Sequence, residues 1–478
     1  AEIGYLRQDW LANTRDATPL FSALVCATLR WLQFEGLFYL YYALLLGVYF
    51  TILYKIAKQE ADLQPRARKL AFLALFFLIH SAGWRFVLSR TLGEEWTYAF
   101  EGGLANQRLL GSVFQPSVFG VFLLVAVWLA TQQKSGLAIV SLALAAWFHS
   151  TYIFPATLLF CGILATTLIG QPSKPENNST RQIPLQLIRT SIFFLILIAP
   201  SALYALTFNF SPEVAPDLAE RGRRILFEFR IPHHADPTVW FNFASLFQIG
   251  LMLSALILTR QKAIRWLLGV PFMLSAALTL IVFFTRSPSL ALLFPWRVST
   301  VLVPLSSTIL IARLVATLPS EKSRPNSAVL IWVIPSTATS LIVVALLVGW
   351  VRITFDLQRQ RNQPERPLIE FVAQHKQPQD LYLIPLKMQD FRLASGAPIF
   401  VDFKSTPYHP VEVLEWYRRY QIANDFYQFP SCDRIGLLTI EGITHIVLPV
   451  STPLSCPNLE TIYEDDFYQL LGVHSLHE

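Results

Sequence analysis

Long apolar runs constrain this chain more than any other feature. A helix needs about 20 such residues to cross the hydrocarbon core of a bilayer. Ten stretches approach that length: 36–54, 70–88, 109–131, 137–150, 152–169, 187–207, 241–259, 266–285, 298–315 and 329–350. Lipid offers the backbone no hydrogen-bond partners, so each run is expected to be helical. The pair 137–150 and 152–169 is short for two crossings, and His149, Ser150 and Pro155 mark a break where a re-entrant hairpin would fit. Charged residues make up only 15% of the 478, against about 25% in soluble proteins. A soluble enzyme, a nucleic-acid-binding protein and a secreted disulfide scaffold are thereby excluded as readings of the whole chain.

Loop charges set the expected orientation. One alternate set of loops, which includes Lys174, Lys322 and Arg324, holds 15 basic residues against four acidic ones, two of them Glu176 and Glu321. The opposite set within residues 1–350 balances at 12 against 12. The basic set is read as cytoplasmic, which puts residues 1–35 and everything after 350 outside. The sequence opens Ala-Glu-Ile-Gly in polar sequence without Met. An external start of that kind leads us to expect a further span just before Ala1. The sequon-like Asn177-Asn178-Ser179-Thr180 falls on the cytoplasmic side, where it has no meaning as a glycosylation site.

The expected fold class is thus a polytopic α-helical membrane protein with a small extracytoplasmic α/β domain at the C-terminus. Residues 1–350 form the multi-span domain, 351–367 a linker and 368–478 the tail. Residues 351–478 are acidic, with 11 Lys and Arg against 16 Asp and Glu. Strand candidates in the tail are 381–386, 397–403, 435–440 and 443–450, with a helix near 410–422. Cys432 and Cys456 would lie in an oxidising compartment, as a disulfide or as two small core residues. Cys26 and Cys161 read as inert packing.

Ionisable residues near a membrane are costly and often functional. Here they gather on the outer side in four groups. Asp9, in Arg7-Gln8-Asp9-Trp10, is placed to act as a general base or to orient an acceptor hydroxyl, unless it sits in an ordinary juxtamembrane turn. Glu94 and Glu95 could hold a divalent cation or a sugar hydroxyl, or form a solvated loop; Arg108 and Gln115-Pro116 follow downstream. The loop 209–240 carries Arg221, Arg223, Arg224, Arg230, His233 and His234. Guanidinium groups there suit a phosphate or diphosphate; a helix lying on anionic headgroups is the competing reading. Two adjacent histidines alone do not make a zinc site. The fourth group is His149, Arg286 and Arg297 at outer span ends, where His149 could simply pack and Arg297 snorkel. The chain has no Walker A loop, Rossmann fingerprint, His-Glu-x-x-His or nucleophile elbow.

With these groups in place the chain resembles the GT-C class of integral membrane glycosyltransferases, and uncharacterised bacterial members in particular. Gln8-Asp9-Trp10 falls where the family has its first-loop acid, provided a span precedes it. Glu94-Glu95 resembles a second acidic site. Ala146-Trp147-Phe148-His149 and Phe294-Pro295-Trp296-Arg297 are similar to family patterns. In the tail, Phe391-Arg392-Leu393-Ala394-Ser395-Gly396, Val401-Asp402-Phe403-Lys404-Ser405-Thr406-Pro407-Tyr408 and Glu415-Trp416-Tyr417-Arg418-Arg419 resemble the extracytoplasmic domain of such proteins.

The resemblance implies sugar transfer from a polyprenyl-phosphate donor to an extracytoplasmic glycan, lipid or protein at the plasma membrane. Asp9, or one of Glu94 and Glu95, would be the base. Arg221, Arg223, Arg224, Arg230 and His233, with His149 and Arg297, would hold the donor phosphate. Glu94 and Glu95 could take a divalent cation, Mg or Mn; no other cofactor is implied. Asp402, Lys404 and Arg418 are the tail's polar candidates for acceptor binding, or structural ion pairs. The rival readings are a transporter or flippase for a lipid-linked saccharide, and a non-catalytic membrane scaffold with an external sensing domain.

Overall fold

A computed structural model describes residues 5–111, 113–169, 179–209, 214–319 and 328–474. Lys174, Glu176, Asn177, Asn178, Glu321, Lys322 and Arg324 lie outside the described residues. The chain divides into two compact units. One comprises 17–207 and 226–352; the other comprises 1–16, 208–225 and 353–478.

The first unit is helical. Among the described residues six helices are long and apolar enough to cross a membrane: Gly36–Glu60, Ser150–Leu168, Leu185–Phe208, Lys262–Thr285, Pro288–Ala316 and Ile334–Arg361. A seventh candidate is the pair Arg66–Ile79 and Ala82–Leu92, bent by 55° at His80 and Ser81. The expected spans at 109–131, 137–150 and 241–259 form shorter apolar helices, Pro116–Thr131, Ser135–Phe148 and Phe243–Leu258. Pro116 opens the first of these, and His149 ends the second in extended backbone. Proline has no N–H to continue a preceding helix, which is why the apolar run there is cut short. The expected linker is helical as far as Arg361.

Pro288–Ala316 is the central span, 78% buried, whereas Ile334–Arg361 is only 6% buried. Ser299, Thr300, Ser306, Ser307 and Thr308 are all buried along the central span. These small polar residues admit backbone that larger side chains would exclude. A Cβ on Gly103 would lie 2.4 Å from Ser299 Oγ, and the Leu104 N–H donates to that same oxygen at 2.8 Å.

The second unit is built on a four-stranded sheet of order β1-β2-β4-β3. β1 (Tyr382–Leu383) runs parallel to β2 (His445–Pro449), and β3 (Leu459–Glu464) and β4 (Tyr468–Val473) form an antiparallel hairpin. The core joins Leu368, Val372, Ile384, Phe391, Val447 and Leu470. The helix Pro410–Gln428 buries Trp416, whose indole donates to Asp402 O at 3.0 Å. Cys432 and Cys456 form a disulfide.

Two strand expectations need correction. Residues 435–440 belong to the helix Cys432–Ile440, which buries Ile435 and Leu438 at three-residue spacing and exposes Leu437 and Ile440. A strand would have buried alternate positions. Residues 397–403 run beside β1, but only Ile399 bridges it, and Pro398 has no N–H to extend a ladder. Strands β3 and β4 were not expected. Their mixture of Glu, Thr, Tyr and Gln lacks a clean apolar alternation.

Candidate functional site

In the membrane unit, the segment between Leu92 and Pro116 is irregular yet largely buried from Ala99 to Leu109. Irregular backbone is tolerated at such depth only when protein groups satisfy it or it lines a cavity. Here side chains supply the partners. Tyr42 donates to Gly111 O, Ser307 to Phe100 O, and Gln248 to Tyr98 O. Ala105 and Asn106 take left-handed conformations at φ 58° and 55°. For an alanine that costs about 1–2 kcal/mol, and strain of this kind collects at ligand sites.

An ion pair fastens the segment to the bent span. Arg85 holds Glu101 through both guanidinium and carboxylate edges, with Nη2 to Oε2 at 3.0 Å. His80 Nε2 lies 3.9 Å from Glu101 and 3.1 Å from the Tyr49 hydroxyl. Arg85 and Arg108 both rest on the Tyr98 ring, at 5.0 and 4.1 Å. Glu101, Arg85 and His80 were missed in the sequence. The signal was available, as three ionisable residues within or beside an apolar run, but their pairing is set by the helix bend.

Arg297 and His149, distant in sequence, are brought together. Arg297 lies 5.2 Å from the centre of the buried Tyr152 ring, whose hydroxyl donates to Ser117 O at 2.6 Å. It is close enough to His149 and His234 to act on both electrostatically. Among the described residues no carboxylate pairs with Arg297, and its buried Nε has no hydrogen-bond partner. By contrast Arg286 is paired, with two 2.7 Å bonds to Asp236. Burial would raise the Asp236 carboxyl, but the Thr238 N–H and the Arg286 guanidinium hold it below its ordinary range.

His234 Nδ1 donates to Ala105 O at 2.6 Å, which leaves Nε2 bare in the neutral ring. Burial, His233, Arg297 and Arg230 together depress it to about 3. An unfolded histidine titrates near 6.5, so between these values the unfolded chain binds the extra proton. Stability contributed by neutral His234 is therefore present above pH 6.5 and lost as pH falls below it, at about 1.4 kcal/mol per unit. His233 is shifted the same way, by burial and by Arg230. Thermal unfolding from pH 7 to 5 is expected to show this slope, and H234N to flatten it. An unchanged slope in H234N would show that other groups carry the pH response.

Glu95 lines a small, open cleft with Tyr98, Asn106, Trp240, Asn242 and Gln248. Glu94 instead accepts from Ser89 Oγ at 2.8 Å on the surface. Among the described residues no group of three His, Cys, Asp or Glu converges. A Mg or Mn held by Glu94 or Glu95 would therefore take its remaining ligands from substrate and water.

In the second unit, Asp9 is fully buried. Its Oδ1 accepts from Ala12 N at 2.7 Å and Arg392 Nη1 at 3.0 Å; its Oδ2 accepts from Ile399 N at 3.0 Å. Arg392 turns its other edge to Asp402, also fully buried, at 3.3 Å. A carboxylate engaged on both oxygens is a strut, an environment that does not suit the base expected of Asp9. Arg418 is held by Glu415 and Glu441, and Lys404 is exposed. Arg223 pairs with Glu220, Arg221 and Arg224 are exposed, and Gly222 between them lets the helix Pro216–Arg224 approach Pro410 to within 3.0 Å of a would-be Cβ. Asp9, Arg221, Arg223 and Arg224 thus belong to one unit, and Glu94, Glu95, His149, Arg230, His233 and Arg297 to the other.

Residues 363–423 match the family model described as a domain of unknown function, DUF6798. The match takes in Arg392, Asp402, Lys404 and Arg418 and covers part of the second unit alone. No curated protein matches the chain.

Proposed function

We propose that the chain is a GT-C-type membrane glycosyltransferase that moves a sugar from a polyprenyl-phosphate donor to an extracytoplasmic glycan, lipid or protein at the plasma membrane. The observation that carries this reading is Arg297, a guanidinium in the membrane unit with no carboxylate beside it among the described residues. Arg297 is half-buried with its Nε fully enclosed; a cation so placed without a counter-charge is costly, and the phosphate of a lipid-linked donor would supply one. Arg230 and His233 are near enough to His234 to belong to the same phosphate-holding group. Glu95 is the carboxylate in the cleft, among amide and aromatic side chains suited to a sugar. It takes the proton of the acceptor hydroxyl; that oxygen attacks the anomeric carbon. The carbon–oxygen bond to phosphate breaks, and the phosphate departs with the electron pair toward Arg297. Loop charges and the Cys432–Cys456 bridge support an extracytoplasmic tail.

The transporter reading draws on one observation, the His80–Glu101–Arg85 group at a helix bend. One assay separates the two. The full chain in vesicles receives a labelled polyprenyl-phosphate hexose and a mixed acceptor extract. Transfer is expected, and E95Q should slow it about 10²–10⁴-fold. Movement of intact donor across the vesicle without transfer would establish the transporter instead.

A further inference from the structure

We infer that Gln107 is a specificity-determining residue, whose amide reads a ligand hydroxyl beside the anion held by Arg297; this rests on the transferase reading. Gln107 is only 2% exposed, and among the described residues neither its Nε2 nor its Oε1 has a hydrogen-bond partner. Buried amides are almost always paired, so an orphan one asks for a reason.

The backbone around Gln107 is fixed, unlike its side chain's bonding. Its carbonyl accepts from Gly103 N at 2.8 Å, closing a tight loop over the left-handed Ala105 and Asn106. That loop is tied on one side to Ser299, two residues beyond Arg297, and on the other to His234, which Arg297 influences electrostatically. The segment bearing Gln107 is therefore packed between the two elements that carry the cation and the neutral histidine.

The unused groups define the ligand. Arg297 Nε and Gln107 Nε2 are donors and want acceptor oxygens. Gln107 Oε1 and the bare Nε2 of neutral His234 are acceptors and want O–H donors. A bare phosphate meets chiefly the first need, and a neutral sugar, whose hydroxyls both donate and accept, leaves the charge of Arg297 unmatched. A phosphate carrying a polyhydroxylated group meets both. A site that hydrogen-bonds a hydroxyl discriminates against ligands lacking it, because its own polar groups are then left unpaired.

The test compares the detergent-solubilised full chain with Q107L by thermal unfolding, alone, with polyprenyl phosphate and with polyprenyl-phosphate hexose. Wild type is expected to gain more from the hexose conjugate. Q107L should melt about 2–4 °C higher without lipid, since an apolar replacement removes an unpaired amide. It should respond alike to both lipids, with its preference for the hexose conjugate down about tenfold. Q107M, of similar length, keeps the test open if leucine does not pack.

A Q107L chain that retains the wild-type preference between the two lipids overturns the inference. If wild type responds to neither lipid, the transferase reading falls. The unliganded comparison then decides Gln107 by itself. A variant no more stable than wild type overturns the reserved amide, and a more stable one upholds it for a different phosphorylated polyol.

Discussion

R297Q is expected to lower sugar transfer about 10²–10³-fold, the loss that follows removal of one donor to a developing anion, while leaving the unliganded chain as stable or more stable. The two halves of this expectation pull apart the roles open to Arg297. A snorkelling or packing arginine would cost stability on removal and affect transfer only through folding. An arginine held for an anionic ligand is a burden without it, because no carboxylate among the described residues offsets its charge. R297K should rescue little, since an ammonium cannot present two parallel donors to phosphate oxygens. Transfer rates and melting temperatures measured on the same purified samples check this. A variant that melts several degrees lower and retains per-molecule transfer would make Arg297 structural.

The membrane class of this chain was legible because hydrophobic runs are a one-dimensional signal. What they did not reveal was how the runs terminate. Pro116 and His149 shorten two of them, and the burial that made 241–259 apolar is partly protein rather than lipid, since Gln248 reaches across to Tyr98 O. Candidate residues were legible one at a time: His149, Arg297 and Glu95 each stood out as polar residues beside apolar sequence. Their grouping was not. Arg297 meets Tyr152 and His149 through packing of helices far apart in the chain, and the pairing of Glu101 with Arg85 depends on the bend at His80. Gln107 had no sequence signal at all, because an uncharged amide draws attention only once its burial is known. In the tail, helix Cys432–Ile440 was misread because Ile-Gly-Leu-Leu-Thr-Ile is rich in strand formers, and tertiary burial at 435 and 438 overrode that preference.

Asp9, expected as a base, is buried and hydrogen-bonded on both oxygens, and R392M tests whether it is a strut. Removing the guanidinium leaves Asp9 and Asp402, both fully buried, facing each other without a counter-charge. Stranding buried charges in this way costs about 3–5 kcal/mol, and part should return in the double variant D402N/R392M, which removes one of the two charges. The residues most affected are those Asp9 ties down: the turn around Ala12 and the segment at Ile399, whose N–H it accepts. Hydrogen exchange in the full chain is the suitable measurement, because the amides of Ala12 and Ile399 report the strut directly. Faster exchange at both in R392M and in D9N, with coupling between the two substitutions in a double-variant cycle, fits a strut. If D9N instead leaves exchange at Ile399 unchanged and abolishes sugar transfer, Asp9 acts on substrate after all, and its burial belongs to a resting conformation.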